Sequence, residues 1–87
     1  VLIKAETDKV PELAQQMAEL DGVSEVFSVA GQYDLVALVR VRENEDLAHV
    51  ISEKMRKLRG ITSSETLIAF KVYSKQDLEA GFALGLD

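Results

Sequence analysis

The sequence predicts an α+β domain whose elements follow the order β-α-β-β-α-β. Two segments carry apolar residues at helical spacing, and four segments carry the alternating or continuous apolar residues that are typical of strands. With right-handed crossovers, this order favours a four-stranded antiparallel sheet with both helices on one face, which is the ferredoxin-like arrangement. Because no linker or low-complexity segment interrupts the pattern, we expect residues 1–87 to form a single domain whose C-terminal tail is residues 74–87.

The first β-α unit occupies the N-terminal quarter of the chain. Residues 1–6 alternate in polarity and predict a strand. Thr7 or Asp8 can cap the helix that follows, and Gly22 closes it, because glycine is preferred just past a helix terminus. The helix presents one apolar stripe, made of Val10, Leu13, Ala14, Met17 and Leu20.

The remaining elements are two strands, a second helix and a last strand. We predict strands at residues 23–30 and 35–42, a helix that has Asn44 as its N-cap and ends before Gly60, and a fourth strand at residues 66–73. The second helix carries its own apolar stripe, made of Leu47, Val50, Ile51, Met55 and Leu58.

The composition limits how the domain is stabilised and where it works. The chain has 87 residues and no cysteine, which excludes disulfides, a thiolate nucleophile and a zinc-thiolate site. A domain of this size relies on its apolar core or on a partner subunit, and the hydrophobic fraction of 47% supplies both. The longest apolar run is too short to span a bilayer, and the N-terminus lacks a secretory signal. We therefore expect a cytoplasmic protein with no membrane partner.

The charge balance argues against direct nucleic-acid binding. The net charge is −5 and the sequence pI is about 4.8, whereas a chain that neutralises phosphates needs a basic stripe. The one basic cluster lies near the end of the second predicted helix, where it complements the helix dipole. This cluster consists of Lys54, Arg56, Lys57 and Arg59.

Two of the predicted strands are apolar on both sides. Residues 35–39 are apolar without alternation, and in residues 66–73 apolar side chains again point both ways. The two helices can cover only one face of the sheet, so the other face would be a large exposed apolar patch, which usually marks an interface. We predict that a second copy of the same sheet packs against it and that this dimer is the minimum unit.

The sequence offers little for catalysis. His49 is the only histidine, the glycines form no phosphate-binding loop, and Ser63 and Ser64 lack a histidine partner at recognisable spacing. We therefore expect no enzyme activity, no metal and no cofactor. Two alternatives stay open: a small dimeric ferredoxin-like enzyme, such as a cofactor-free monooxygenase with His49 as its base, and an assembly module that binds no ligand.

Two polar clusters remain as candidate ligand contacts. One is the turn at residues 31–34, and the other is the hydroxyl-rich run at residues 62–66. In the predicted topology both could lie at one end of the sheet. Hydroxyls and backbone N–H groups suit a carboxylate, and Asp34 suits an ammonium, so together they would clamp a zwitterion such as an amino acid. The alternative, that both runs merely turn the chain, stays open on these grounds.

Four short motifs carry a family resemblance across nearly the whole chain. In this order and spacing, the chain resembles the effector-binding half of the Lrp/AsnC (feast/famine) family, also called the RAM domain. The motifs are Leu20-Asp21-Gly22-Val23, Gly31-Gln32-Tyr33-Asp34, Leu58-Arg59-Gly60-Ile61 and Ser64-Glu65-Thr66.

The resemblance implies an assembly and a ligand. Domains of this family form α/β-sandwich dimers that assemble into octamers, decamers or similar rings, and they bind amino acids at the contact between dimers. The chain shows no helix-turn-helix segment and resembles the stand-alone members, so we expect it to act by co-assembly with full-length Lrp/AsnC relatives and not by binding DNA itself. Carried over by position, the ligand contacts are Gly31, Gln32, Tyr33, Asp34, Ser64 and Thr66.

Overall fold

The computed structural model describes residues 1–75, which form a four-stranded antiparallel sheet and two helices. The strands are β1 (Leu2–Ala5), β2 (Val23–Ser28), β3 (Leu35–Val39) and β4 (Ile61–Glu65). Helix α1 (Val10–Ala18) follows a 3₁₀ turn at Thr7–Lys9. Helix α2 is α-helical over Asn44–His49, widens into a π-helical turn at Val50–Lys54 and tightens into a 3₁₀ turn at Met55–Lys57. Nearly all of the predicted tail, from residue 76 onward, lies outside the described residues.

The sheet has the predicted ferredoxin-like order, β2-β3-β1-β4, with every neighbouring pair antiparallel. The central strand β1 aligns Leu2 with Val36 of β3 on one side and with Glu65 of β4 on the other. Strands β1 and β2 do not pair with each other because β3 lies between them. The predicted fold class is therefore confirmed.

The core lies between the helices and one face of the sheet. Ile3, Leu35 and Ala37 are fully buried on this face. Leu13 and Met17 reach them from α1, as the predicted stripe requires, since i and i+4 side chains share a helix face. From α2, Met55 joins the same cluster, and Ile51 and Leu58 pack against it. The predicted stripe of α1 is therefore confirmed in full, and that of α2 is confirmed at Val50, Ile51, Met55 and Leu58.

The predicted N-terminal caps of both helices are wrong. Thr7 and Asp8 lie inside the 3₁₀ turn, and Asn44 is already the first helical residue of α2, so none of the three stands in the N-cap position. Glu43 takes that position for α2 with an extended backbone, and its side chain forms no capping hydrogen bond. The chain enters both helices through backbone hydrogen bonds, for example from the Lys9 N–H to the Glu6 carbonyl at 2.9 Å.

The predicted position of the fourth strand is also wrong. β4 is the polar segment Ile61–Glu65, whereas residues 66–73, here called the arm, belong to no strand. The pairing register gives the reason. Glu65 pairs with Leu2, so the chain beyond Glu65 passes the N-terminal end of β1 and has no neighbouring strand to bond.

The sheet face opposite the helices, here called the open face, is partly apolar. Val36 and Leu38 point to it, because the residues that alternate with them, Leu35 and Ala37, point into the core. Phe27 aligns with Val36 across β2 and β3, and its side chain is 43% exposed. The predicted two-sided apolar character of β3 is thus confirmed. Next to the sheet, the arm adds further exposed apolar side chains: Leu67, Ile68, Phe70, Val72 and Tyr73.

Candidate functional site

The turn at residues 31–34 joins β2 to β3 as a hairpin connection, as the sequence predicts. The Val29 N–H donates to the Asp34 carbonyl at 3.0 Å, which closes the loop. Gly31 has φ of +123°, a conformation that an L side chain rarely adopts. A Cβ placed on Gly31 would meet no atom within 4 Å, so the glycine is required by its backbone conformation and not by crowding. Gly31 and Gln32 are both exposed.

Asp34 fastens this turn to the central strand. Its Oδ2 atom accepts a hydrogen bond from the Ala5 N–H at 2.8 Å, and its own N–H donates to the Ile3 carbonyl at 2.9 Å. The register of the β1–β4 pairing shifts between Lys4 and Ala5. On the other side of β1, the regular pairing with β3 ends at Ile3, so the Asp34 carboxylate provides the hydrogen-bond acceptor for the Ala5 N–H. One oxygen of the predicted ligand-binding carboxylate is therefore already used within the fold.

Tyr33 extends from the turn across β1 towards β4. Its hydroxyl donates to the Glu65 carboxylate, with 2.5 Å between Tyr33 Oη and Glu65 Oε2. This hydrogen bond is the main cause that raises the pKa of Tyr33 above its usual value, with smaller contributions from desolvation and from the charge of Glu65. The Lys4 ammonium lies on the same ring, 5.9 Å from its centroid.

The hydroxyl-rich run is divided between two faces and two ends of the sheet. Ser64 aligns with the buried Ile3 and therefore lies on the face that the helices cover, whereas Ser63 aligns with Lys4 on the open face. The Thr62 hydroxyl donates to the Lys4 carbonyl at 3.0 Å. Thr66 lies beyond the last pair of the β1–β4 ladder. It lines a cleft of about 470 Å³ between the arm, the end of β3 and the start of α2, where Arg40 and Arg42 also contribute.

Within one chain, the structure thus brings together only part of the predicted set. The turn and β4 meet through the hydrogen bond between Tyr33 and Glu65, and β4 begins at the turn's end of the sheet. Thr66 lies towards the opposite end, so the expectation that both clusters share one end is wrong for this residue. The cause is again the register of β4, which starts five residues earlier than predicted.

The sequence does not predict that Glu65 and Lys4 lie next to Tyr33. Glu65 belongs to the predicted polar run at residues 62–66 and to the motif Ser64-Glu65-Thr66, but it is not among the predicted ligand contacts. The alignment of Lys4 with Ser63 and of Leu2 with Glu65 places the two charged side chains on the open face. Only the correct register of β4 could have revealed this placement.

The other candidate groups offer no catalytic constellation. His49 is exposed on α2, where its Nδ1 atom lies 2.9 Å from the Glu53 carboxylate one turn away, and it does not enter the space between sheet and helices. Among residues 1–75, no three histidine, aspartate or glutamate side chains cluster as metal ligands would. In the same part of the chain, no helix is long and apolar enough to cross a bilayer.

A second cleft, of about 600 Å³, lies on the helix side of the molecule. It is open to solvent and lined by residues of mixed charge from the start of α1 and the end of α2, among them Lys9, Glu12 and Arg59. No buried polar group converges on it, since the described residues contain no buried polar or charged side chain. Size alone therefore does not make this cleft the functional site.

Comparison with known proteins identifies relatives of this chain among transcriptional regulators. The sequence matches the Lrp/AsnC ligand binding domain over residues 1–78. A helix-turn-helix transcriptional regulator of Pyrococcus abyssi is 38% identical over 72 residues, which cover 83% of this chain and 46% of that protein. The chain spans about half the length of the curated relatives that it matches.

Solved structures agree with the sequence matches. The crystal structure of TTHA0845 from Thermus thermophilus superposes with a TM-score of 0.79 at 43% identity, covering 85% of this chain and 92% of that one. AsnC of E. coli superposes with a TM-score of 0.75 at 28% identity, covering 82% of this chain and 48% of that protein. Because the family match extends over most of the chain and the fold agrees, the chain belongs to the Lrp/AsnC ligand-binding domain family.

Proposed function

We propose that this chain is an amino-acid-sensing and oligomerising module related to Lrp/AsnC transcriptional regulators. The observation that carries the proposal is the turn at residues 31–34. It is polar and exposed, yet it is fixed to the central strand through the Asp34 carboxylate at 2.8 Å from the Ala5 nitrogen. A rigid polar turn beside an apolar face is suited to recognise a small polar molecule, because little conformational entropy is lost on binding.

The proposed ligand site comprises the turn and the end of β4. Exposed backbone N–H groups at Gly31 and Gln32 suit a carboxylate. The hydroxyls of Ser64 and Thr66 suit the same group, but within one chain they lie away from the turn, so a neighbouring dimer would supply them. Tyr33 offers an aromatic surface, and Asp34 retains acceptor capacity, since a carboxylate has about four lone-pair sites. Neither segment encloses a ligand by itself, so the site would be completed at a contact between dimers. Its residues are Gly31, Gln32, Tyr33, Asp34, Ser64 and Thr66.

The dimer itself would form through the open face and the arm. Phe70 is fully exposed and Leu67 and Ile68 are each 64% exposed, which is an unusual amount of apolar surface for so small a domain. A second copy packed sheet to sheet would cover this surface, and an isologous contact would bury both copies equally. Dimers would then assemble further into an octamer, a decamer or a similar ring.

The module would regulate through thermodynamic linkage between ligand binding and oligomer assembly. A ligand that binds at a contact between dimers stabilises the assembly to the same degree as the assembly strengthens ligand binding. In the cytoplasm, such a module would act by co-assembling with full-length Lrp/AsnC relatives that carry the DNA-binding domain. The homologous regulators give no indication of an enzyme.

A thermal-shift screen over the standard amino acids tests the proposal. A ligand that binds only the folded state stabilises it by RT ln(1 + [L]/Kd), which is about 2.7 kcal/mol at a hundred times the Kd. We expect at least one amino acid to raise the melting temperature in a concentration-dependent manner. The same shift should be absent in Gly31→Val, whose side chain is incompatible with φ of +123°. No shift with any amino acid would contradict the proposal.

A further inference from the structure

Lys4 and Glu65 place opposite charges on neighbouring strands of the open face. Glu65 aligns with Leu2, and Lys4 lies two residues further along β1, so both side chains point away from the face that contains the buried Ile3. Both residues are exposed. In the part of the chain that the structure describes, no ion pair joins them. Each charge is therefore available to a molecule that packs on the open face.

Tyr33 restricts both charged side chains. Its hydroxyl donates to the Glu65 carboxylate, with 2.5 Å between the two oxygen atoms, and the Lys4 ammonium lies 5.9 Å from the centroid of its ring. The hydrogen bond uses one of about four acceptor positions of the carboxylate and leaves the others open. A side chain that is already restricted loses less entropy on binding, so this arrangement favours a specific contact.

A second copy on the open face offers each charge its complement. In an isologous contact, every pair of different residues that meet across the axis occurs twice. Glu65, Leu2 and Val36 lie in one row across the sheet, and Leu38 lies on the other side of this row from Lys4. A two-fold axis that runs between Lys4 and Glu65, at right angles to the line that joins them, crosses the sheet towards Val36 and Leu38. The operation that pairs the charges therefore also packs these apolar side chains on each other.

The charge of the chain makes this local complementarity important. Each copy carries a net charge of −5, so two copies repel each other. Within the four strands, Lys4 is the only basic residue, whereas Glu25 and Glu65 both lie on the open face, since Glu25 aligns with Leu38. Complementary charges across an interface suppress wrong partners and fix the register. The position of Lys4 on the open face therefore restricts how a second copy can pack there.

We propose that Lys4 of each copy pairs with Glu65 of the partner subunit in the sheet-to-sheet dimer. These two symmetric ion pairs fix the register of the dimer and select a second copy of this chain as the partner. The inference rests on the dimer of the proposed function and deepens it, because it names the residues that determine which partner the open face accepts.

Charge reversal tests the pairing by sedimentation equilibrium on the intact chain. Lys4→Glu alone and Glu65→Lys alone oppose like charges across the axis, and each should weaken the dimer by roughly tenfold or more. An equimolar mixture of the two variants restores both pairs in the heterodimer and should dimerise about as tightly as the wild type. Repulsion within one chain cannot explain such a recovery, because it is the same with every partner.

A second variant and two control mixtures complete the test. The double variant Lys4→Glu/Glu65→Lys also restores both pairs and should dimerise like the wild type, while circular dichroism checks the fold of every variant. The controls combine Lys4→Glu either with Glu25→Lys on the open face or with Glu19→Lys on the exposed surface at the end of α1. Both controls have the same charges as the test mixture, and both should dimerise more weakly.

The outcomes separate this inference from the proposed function. If Lys4→Glu dimerises like the wild type, or if its mixture with Glu65→Lys shows no recovery, the pairing is overturned while the dimer stands. Equal recovery in either control mixture would show that overall charge or another glutamate is responsible, and it would also overturn the pairing. If the wild type is a monomer, the inference falls together with the dimer of the proposed function.

Discussion

At the scale of single residues, the Asp34 side chain stabilises the fold by accepting a hydrogen bond from the backbone of β1. The sequence predicts a turn residue at this position, which is confirmed, and a carboxylate that contacts a ligand, which stays a prediction. Its main contact, however, is a backbone N–H of another strand, because the β1–β3 ladder ends before Ala5. A bond of this kind between residues 29 positions apart follows from the strand register, which a single sequence does not specify.

Removing this carboxylate should weaken the fold. Asp34→Ala leaves the Ala5 N–H without its acceptor and should lower the free energy of unfolding by about 1–3 kcal/mol. Asp34→Asn keeps an amide oxygen in place and should lose much less. Urea unfolding at one fixed protein concentration measures both variants. Equal stability of Asp34→Ala and wild type would show that the contact with Ala5 contributes nothing.

At the scale of secondary structure elements, the sequence predicted the element order, both helices and the hairpin. These features depend on local periodicity and on glycine turns, as at Gly22 and Gly31, which both have positive φ. The fourth strand was misplaced because residues 66–73 have the stronger apolar pattern, whereas the polar segment Ile61–Glu65 is the one within reach of β1. The position of the fourth strand therefore depends on which segment can pair with β1, and not on intrinsic strand propensity.

The two faces of β3 predict different consequences for two adjacent substitutions. Ala37 is fully buried against the helices, so Ala37→Lys places an unpaired charge in the core and should cost about 4 kcal/mol or more. Leu38 lies on the open face, so Leu38→Lys should leave the fold intact but weaken the dimer by roughly tenfold or more. Circular dichroism and sedimentation equilibrium distinguish the two effects.

The reverse pattern would contradict this arrangement of the sheet. A folded Ala37→Lys variant would show that Ala37 does not face the core. An unchanged dissociation constant for Leu38→Lys would show that a second copy does not cover the open face at this position.

At the scale of the whole molecule, the described residues include several large apolar side chains that are exposed to solvent. The arm contributes most of them, with Phe70 fully exposed and Tyr73 74% exposed. The sequence predicted an uncovered apolar face from the two-sided strands, although it placed part of that surface in a strand. Which residues would complete the proposed ligand site depends on the proposed contact between copies, and no local sequence pattern specifies such a contact.

Native mass spectrometry at micromolar protein concentration, carried out across a titration with the amino acid selected in the thermal-shift screen, tests the central claim most directly. The account predicts dimers or larger assemblies without a stable monomer, and it predicts that bound ligand appears on these assemblies and changes their distribution. A well-folded monomer that carries no ligand at any concentration would contradict it.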